Sequence, residues 1–327
     1  MKNVKNIFTT KEKYWKQWNW GWNIFSILTI IAAFLENKYV KAFEVVDNKP
    51  YQIFLGIYLA YLVIVYAYGA IRKKSSLHYY SGHFAQLNSG IGILLIIQDL
   101  ITEKFAYIEL PFFASFAQII SQIVDDRKIL WASTLSSLNL WFISFVIGSL
   151  IGIILGLLMG RYRQFNYWAF PFSKVIGIIP AAAWMPITMI LFPTSYMAEV
   201  FLIAFSVWFP VAFMTIGGVQ SIPQNYFEAA KTLGFSENQI MRKIVIPGSM
   251  PNIFIGLYTG MGLSFTMLVI SEMMGAKVGL GWYINWAKGV GNYTQVYAAI
   301  VIMALLFSVI FSIVNRLQNY VLRWRKQ

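Results

Sequence analysis

The sequence contains no cysteine, which excludes disulfide bridges, thiolate metal sites and cysteine nucleophiles. Histidine is almost as scarce. His78 and His83 lie in one short polar segment without an acidic residue nearby, which favours a surface loop over a metal site. We therefore predict neither a metal centre nor a resident cofactor in this chain.

The motifs of common enzymes are also missing. There is no GxxxxGK[ST] phosphate loop, so the chain does not bind ATP in that way. Neither GxSxG nor HExxH occurs, and the acidic and histidine residues are scattered instead of clustered for catalysis in a membrane. We therefore predict no catalytic residue and no enzymatic activity.

Charged residues make up only 12% of the chain, against 58% hydrophobic and 17% aromatic residues. Several apolar runs approach the roughly 20 residues needed to cross a bilayer. The first run follows a long basic segment without a clear cleavage site, which favours an uncleaved signal anchor. The composition predicts an all-α, polytopic helical membrane protein. Its eight predicted spans cover residues 20–35, 51–71, 88–101, 133–160, 167–192, 198–219, 252–273 and 293–314.

The net charge of +13 is unevenly distributed along the chain. Cytoplasmic segments of membrane proteins carry an excess of lysine and arginine, so the side where the basic residues collect is interpreted as the cytoplasm. Both termini lie there, and of the acids only Glu12, Glu228 and Glu237 do. The charge therefore indicates orientation in a cell (inner or plasma) membrane, not nucleic-acid binding. The 18 of 26 basic residues on this side are Lys2, Lys5, Lys11, Lys13, Lys16, Arg72, Lys73, Lys74, Arg161, Arg163, Lys174, Lys231, Arg242, Lys243, Arg316, Arg323, Arg325 and Lys326.

One polar island, residues 221–247, interrupts the apolar runs and contains two helix-start signals. Ser221 is followed three residues later by Gln224, which is the spacing of a capping box. Ser236 and Gln239 repeat the same spacing. The island is therefore predicted to form two short helices.

The two predicted helices are separated by Gly234, which suits the left-handed residue after a helix, and the unit is predicted to close at Pro247. Each helix has an apolar face at helical spacing. Such a hairpin between two spans either rests on the bilayer surface or serves as a docking surface. The first face is predicted to contain Ile222, Tyr226, Ala229, Ala230 and Leu233, and the second Ile240, Met241 and Ile244.

Small residues recur every fourth position in one predicted span. This spacing lets helix backbones approach closely, so helix packing is the favoured interpretation over pore lining. The four residues are Gly148, Gly152, Gly156 and Gly160.

A second membrane signal is a pair of prolines, Pro180 and Pro186, which are predicted to kink or break one span. Irregular backbone at membrane depth is tolerated where it is buried or lines a cavity, so this region with Trp184 is a candidate for the translocation path. Glu272 ends an apolar run and is a functional candidate for the same path. Asp99 stands alone in its span and is given no role beyond a packing or gating contact.

The polar island resembles the EAA loop of the permeases of ABC importers. Its only departure is Ile246, where that family usually has leucine. The stretches Ser271–Gly275 and Gly279–Gly281 are similar to a pattern of the nitrate, sulfonate and taurine group, whereas Phe112-Phe113 and Phe192-Pro193-Thr194 depart from it. The resemblance implies that the loop docks on a separate cytoplasmic ATPase. The residues that match the loop are Glu228, Ala229, Ala230, Gly234, Ile244 and Pro247.

The resemblance further implies a permease that borrows its ATPase, so that ATP is bound by the partner subunit. An extracytoplasmic solute-binding protein would deliver the solute, and two permeases would pair, as a homodimer, within membrane lipid. Residues 89–327 would form the six-span permease domain with its coupling loop at 218–250. Residues 1–88 would be an extension with two spans, to which no function is assigned.

The expected function is import of a small solute through this domain. The group resemblance implies an anion such as sulfonate, taurine or nitrate, and is also compatible with a thiamine-precursor pyrimidine. A secondary transporter or channel, which would use intramembrane charge pairs or inverted repeats, and a membrane-embedded enzyme are the alternatives.

Overall fold

The computed structural model describes residues 20–40, 47–71, 76–105, 107 and 113–323. Within these ranges the chain forms helices and no strand, which confirms the all-α prediction. The segments outside them include the N-terminal lysines, the basic run at 72–74, Leu110–Phe112, Arg325 and Lys326. The α-helices are α1 (Trp20–Tyr39), α2 (Lys49–Ile71), α3 (Ser76–Asp99), α4 (Phe116–Asp125), α5 (Arg127–Arg161), α6 (Arg163–Ile178), α7 (Met185–Leu191), α8 (Ser195–Gln220), α9 (Gln224–Thr232), α10 (Glu237–Ile240), α11 (Ile246–Gly275), α12 (Leu280–Gly289) and α13 (Tyr293–Val321).

Six helical segments of the described chain are long and apolar enough to cross a membrane. They are α2, the Phe84–Lys104 part of α3 with the π-helical turn that follows it, α5, α8, the continuous segment Glu237–Gly275, and α13. A seventh arises if α6 and the segment Ala181–Leu191, bent by 87°, are one span. The protein is therefore a polytopic helical membrane protein.

Two predicted features of the N-terminal region differ in the structure. The span predicted at 20–35 is helical in α1, but α1 is not among the helices apolar enough to cross, because polar residues such as Asn23 and the Glu36-Asn37-Lys38 run lower its hydropathy. The backbone of His78 and His83 lies within α3, so the predicted surface loop is wrong there. The helix begins well before the apolar run does.

The described chain divides into two compact units. The first contains the described residues up to Arg127 together with Gly291–Ala298, and the second contains Lys128–Val290 and the described residues from Ala299 onward. The described residues between 89 and 127 thus group with the N-terminal helices, whereas the sequence placed the boundary after residue 88, a division that stays a prediction. In the first unit, α1 to α4 enclose an apolar core of Ile30, Ala33, Tyr51, Leu55, Leu62, Tyr66, Ala85, Leu95 and Ala117.

The core of the second unit lies among α5, α8 and α11. Trp141 of α5 is buried there, and its indole N–H donates to the Ser264 hydroxyl at 2.8 Å. The indole also packs against Phe265, with ring centroids 5.2 Å apart. The polar end of the tryptophan is thus satisfied inside an otherwise apolar cluster.

The glycine ladder lies where α5 meets α8. A Cβ at Gly152 would stand 2.6 Å from the carbonyl oxygen of Trp208, and one at Gly156 would stand 2.6 Å from Thr215. Gly160 is 2.7 Å from Val219 by the same measure, and Gly148 is closest to Ala204. Since real Cβ atoms do not approach so closely, any larger residue would push the two helices apart.

The span predicted at 167–192 is broken in the structure. α6 ends at Ile178, and Pro180 begins a 3₁₀-helical turn, Ala181–Trp184, that leads into α7 at a steep angle. The predicted break is thus present at Pro180. Pro186 causes no second break, because it stands at the first turn of α7, where a proline needs no hydrogen-bond donor.

Candidate functional site

The polar island forms a helix–glycine–helix hairpin made of α9, Gly234 and α10. Gly234 has φ +74°, the left-handed conformation that favours glycine. The Gly234 N–H donates to Lys231 and the Phe235 N–H to Ala230, each at 3.0 Å, which together form a Schellman motif. The next helix then starts at the capping box of Ser236 and Gln239, in which both reciprocal hydrogen bonds are present.

Two predicted boundaries of the hairpin are wrong. Ser221 caps the end of α8 and its hydroxyl donates to Gly218, so α9 begins only at Gln224, behind Pro223. Pro247 does not close the unit either. A π-helical turn, Met241–Val245, joins α10 to α11, and Pro247 lies in the first turn of α11, where its missing N–H costs nothing.

The inner face of the hairpin packs on the ends of the neighbouring helices. Phe227 and Ala230 of α9 are buried together with Ile240, Val245 and Val219 of α8. Ile244 is partly buried at the edge of this cluster. The hairpin is therefore held against the neighbouring helices of its own unit by an apolar contact.

The outer face of α9 is only partly as predicted. Tyr226 and Leu233 were predicted to share one apolar face with Ala230, but their exposed fractions are 59% and 73%, whereas Ala230 is buried. Ala229 and Glu228 are exposed beside them. Because α9 is short and Phe227 occupies the inner side, the helix presents Tyr226, Ala229 and Leu233 as an outward stripe at helical spacing. We call these three residues the outer stripe.

Arg161, at the end of α5, fastens the hairpin from the side. Its guanidinium pairs with Glu237 at 2.8 Å and lies over the Phe227 ring, 5.0 Å from the centroid. It thus bridges both arms of the hairpin. In the sequence Arg161 was only a marker of the cytoplasmic side, because 76 residues separate it from Glu237 and no periodicity connects them.

A second feature of this unit is an apolar cavity of about 460 Å³ beside the break at Pro180. Phe205, Phe209 and Phe213 of α8 form one wall, and no charged side chain is among the described residues that line it. The remaining lining residues are Gly177, Ile179, Pro180, Ala181, Ala182, Ser206, Pro210, Met214, Leu263, Thr266, Met267 and Ile270.

Of the four residues predicted for the translocation path, the structure brings only Pro180 to this cavity. Trp184 packs against Phe205 behind it, with ring centroids 5.8 Å apart. Pro186 is exposed at the start of α7, and Glu272 is buried and lies elsewhere. The phenylalanine wall was not predicted, because three aromatic residues four positions apart in an apolar helix do not distinguish a cavity wall from ordinary packing.

Glu272 is buried in a local hydrogen-bond network near the end of α11. Its carboxylate accepts from the Ser137 hydroxyl at 2.6 Å and from the Gly281 N–H at 2.7 Å. Ser137 in turn accepts from the Leu280 N–H at 2.8 Å. Both N–H groups belong to the first turn of α12, where a negative charge is favoured by the free donors and the helix dipole. Glu272 therefore anchors α12 to α5.

Comparison with known proteins places the chain in a class. The family described as "Binding-protein-dependent transport system inner membrane component" matches residues 148–327, and the chain belongs to this family. Its members are transport permeases, not enzymes, which agrees with the absence of catalytic motifs.

Individual relatives indicate which kind of transport permease this chain resembles. A putative ABC transporter permease, MJ0413 of Methanocaldococcus jannaschii, is 32% identical over 59% of this chain and 73% of its own. The bicarbonate permease CmpB of Synechococcus elongatus is 31% identical over 61% and 70%. The taurine permease TauC of Escherichia coli is 28% identical over 60% and 71%. The chain is therefore an ABC importer permease of the group that the sequence resembled.

Solved structures agree in fold. One of the MetNI methionine ABC transporter in an inward-facing conformation has a TM-score of 0.50 and 21% identity, over 60% of this chain and 98% of that chain. An amino acid ABC transporter solved with histidines has a TM-score of 0.50 and 19% identity, over 62% and 97%.

Proposed function

We propose that this chain is the membrane subunit of an ATP-driven importer, and that the hairpin of α9, Gly234 and α10 docks on a cytoplasmic ATPase. ATP would be bound by that partner, and an extracytoplasmic solute-binding protein would deliver the solute. Two copies of the chain would pair. Both termini and the hairpin would face the cytoplasm, as the distribution of basic residues predicts.

The observation that carries this proposal is the outer stripe. Tyr226 and Leu233 are large apolar side chains left exposed on a hairpin whose inner face is already packed. An amphipathic helix of this kind suits a groove on a partner protein, and the exposed Glu228 beside it supplies a polar contact. The alternative, a hairpin lying on the bilayer, is disfavoured because the stripe has only two large apolar side chains and the exposed Glu228 carboxylate beside them would face anionic lipid headgroups.

The absence of cysteine makes this proposal directly testable. A single cysteine at Leu233, labelled with a maleimide photocrosslinker, should crosslink to the ATPase that co-purifies with the protein. Lys288→Cys, an exposed position on α12, is the matched control and should give no such product. Equal crosslinking from both positions, or none from Leu233→Cys in a complex that still contains the ATPase, would refute the docking surface.

The solute path is proposed to include the apolar cavity beside Pro180. Its volume, about 460 Å³, falls in the usual range for sites of small molecules. Two of the relatives named above are permeases for bicarbonate and for taurine, which supports a small anion as the solute.

Within that group, the lining of the cavity favours an organic solute. Removing a bare inorganic anion from water without a charged or hydrogen-bonding partner is costly, and the described lining offers only the Ser206 and Thr266 hydroxyls. An alkyl sulfonate, taurine or a pyrimidine would place carbon atoms against the phenylalanine wall. A panel of these solutes and nitrate, tested on the partner binding protein, decides between them; a response to nitrate alone would exclude the organic class.

A further inference from the structure

The first unit contains a buried group of charged side chains to which the transport proposal gives no role. They lie where the end of α1, the start of α2 and the end of α3 meet. Asp99 is 1% exposed, and Glu103 and Lys104, in the π-helical turn that follows it, are 2% and 8% exposed. Glu36 of α1 is partly buried beside them, within hydrogen-bonding reach of Asp99.

Donors satisfy only part of this group. Lys104 lies 3.3 Å from Glu103 and 3.8 Å from Asp99, so one ammonium serves two carboxylates. Asn48 donates to Glu103 at 2.8 Å and Asn37 donates to Asp99 at 3.3 Å. Each of these two acids thus has one oxygen with donors.

The remaining oxygens have none among the described residues. Both oxygens of Glu36, the Oδ1 of Asp99 and the Oε2 of Glu103 are buried without a hydrogen-bond partner. Buried carboxylates are normally paired or hydrogen-bonded, because an unpaired one bears the desolvation penalty of a buried ion without compensation. With one ammonium for three carboxylates, the group as ionised would be short of positive charge.

Tyr51 of α2 is an independent sign that something is bound here. Its side chain is 1% exposed, its hydroxyl has no partner among the described residues, and the charges of Asp99, Glu36 and Glu103 all act on it. An unused buried hydroxyl near this group indicates that its hydrogen-bond network is incomplete. Because the four free carboxylate oxygens outnumber this one free hydroxyl, the missing component is a donor or a cation.

We propose that this group is a proton-binding site, in which a proton held by Glu36 is donated to the free Oδ1 of Asp99. One proton turns two facing acceptors into a donor and an acceptor, as in other pairs of buried carboxyl groups. It satisfies one oxygen on each residue and removes one of the two surplus negative charges. Lys104 then balances one of the two negative charges that remain on Asp99 and Glu103.

A proton fits the site better than a metal ion does. Within the described residues no three acidic or histidine side chains are arranged to hold a metal. The titratable and charged groups that face Glu36 are Tyr51 from α2, Asp99 from α3, and Glu103 and Lys104 from the π-helical turn. On the topology predicted from the basic residues, this end of the unit faces the extracytoplasmic side, from which the proton would come.

Infrared spectroscopy of the purified full-length protein tests the proposal. At about pH 7 an ordinary glutamate, with a pKa near 4.3, is ionised, so a protonated carboxyl band is diagnostic. The difference between wild type and Glu36→Gln should contain one such band, shifted in D₂O. Glu237→Gln, an exposed acid of the hairpin, is the control and should leave the band unchanged.

Other outcomes would overturn the proposal. If the wild-type spectrum contains no protonated carboxyl band that is lost or shifted in Glu36→Gln or in Asp99→Asn, the site holds no proton. If adding sodium or potassium salts in place of choline removes the band, an alkali ion occupies the site instead. The wild-type band can also be followed by pH titration without any variant. The proposal can therefore still be refuted if a variant does not fold.

Discussion

Glu272 illustrates how a single acidic residue can be retained in a membrane-spanning helix without lining a path. Its carboxylate receives the Ser137 hydroxyl and the Gly281 N–H, and the first turn of α12 places further donors next to it. The side chain thus does the work of a helix cap from another element. An intramembrane acid therefore has a structural explanation here, although the sequence alone made it a functional candidate.

Ser137→Ala tests this explanation. The substitution removes the donor to Glu272 and the acceptor of the Leu280 N–H, leaving two buried polar groups unsatisfied, at a cost of about 1–3 kcal/mol each. The apparent melting temperature in detergent should fall clearly. Ser144→Ala is the control on the same helix, since the buried Ser144 hydroxyl donates to the Leu140 carbonyl of its own helix. Equal effects of the two changes would contradict the anchoring role.

Gly234 is the second residue at which a single substitution should have a specific effect, here on the geometry of the hairpin. Open space surrounds it, so only its positive φ resists a side chain, by roughly 1–2 kcal/mol for a β-branched residue. Gly234→Val should tilt the outer stripe, giving normal amounts of protein in the membrane but weak co-purification of the ATPase and little uptake. Gly234→Asn, which tolerates this conformation, should keep both. Full uptake by Gly234→Val would remove the role assigned to this turn.

At the scale of elements, the hairpin and the cavity share one continuous helix. The segment Glu237–Gly275 runs through the π-helical turn without a break, and Leu263, Thr266 and Met267 on it line the cavity. At 1.5 Å per residue, about 45 Å separates Glu237 from Met267. In the proposed function, movement of the hairpin is carried to the cavity along this helix.

The α5–α8 contact should be intolerant of larger side chains. Gly152→Val would drive its Cβ and methyl groups into the backbone of Trp208 and into Val211, and such overpacking costs about 1–3 kcal/mol or more. The apparent melting temperature of the detergent-solubilised protein should fall, and the protein should elute as a heterogeneous peak in gel filtration. Gly90→Val makes the same change in α3, where nothing lies near the new Cβ, and should behave like wild type. If Gly152→Val melts and elutes like wild type, the contact between α5 and α8 tolerates a larger side chain and the prediction is wrong.

At the scale of the whole molecule, the N-terminal helices are part of a packed unit. α1 and α2 cover Ala85 and Leu95 of α3, and Asn37 and Asn48 supply the donors to Asp99 and Glu103. A chain that begins at Arg72 would expose the apolar face of α3 and leave two buried acids without those donors.

We expect the chain that begins at Arg72 to accumulate several-fold less in the membrane than the full chain. Producing residues 1–71 as a separate polypeptide in the same cell should restore its level, since the missing helices could then pack on α3. Immunoblots of membrane fractions measure both. A truncated chain that reaches the full level alone and still binds its ATPase would show that these helices are dispensable.

The sequence alone determined the class of this protein. Long apolar runs specify membrane helices because each must satisfy its backbone within itself, and this requirement is local. The position of the hairpin, its glycine turn and the Ser236 capping box were predictable for the same reason, because each depends on residues only a few positions apart. The family resemblance followed from spacing within the same short stretch.

Only the tertiary structure decided which faces of these elements are used. Tyr226 and Leu233 could have packed inward as well as outward until the position of Phe227 against Val219 was known. The contact of Arg161 with Glu237 and the anchoring of α12 by Glu272 join residues far apart in the chain. The incomplete network around Asp99 is likewise built from three helices. Such contacts depend on how helices pack, and the residue pattern within one helix does not identify which residues of another helix it contacts.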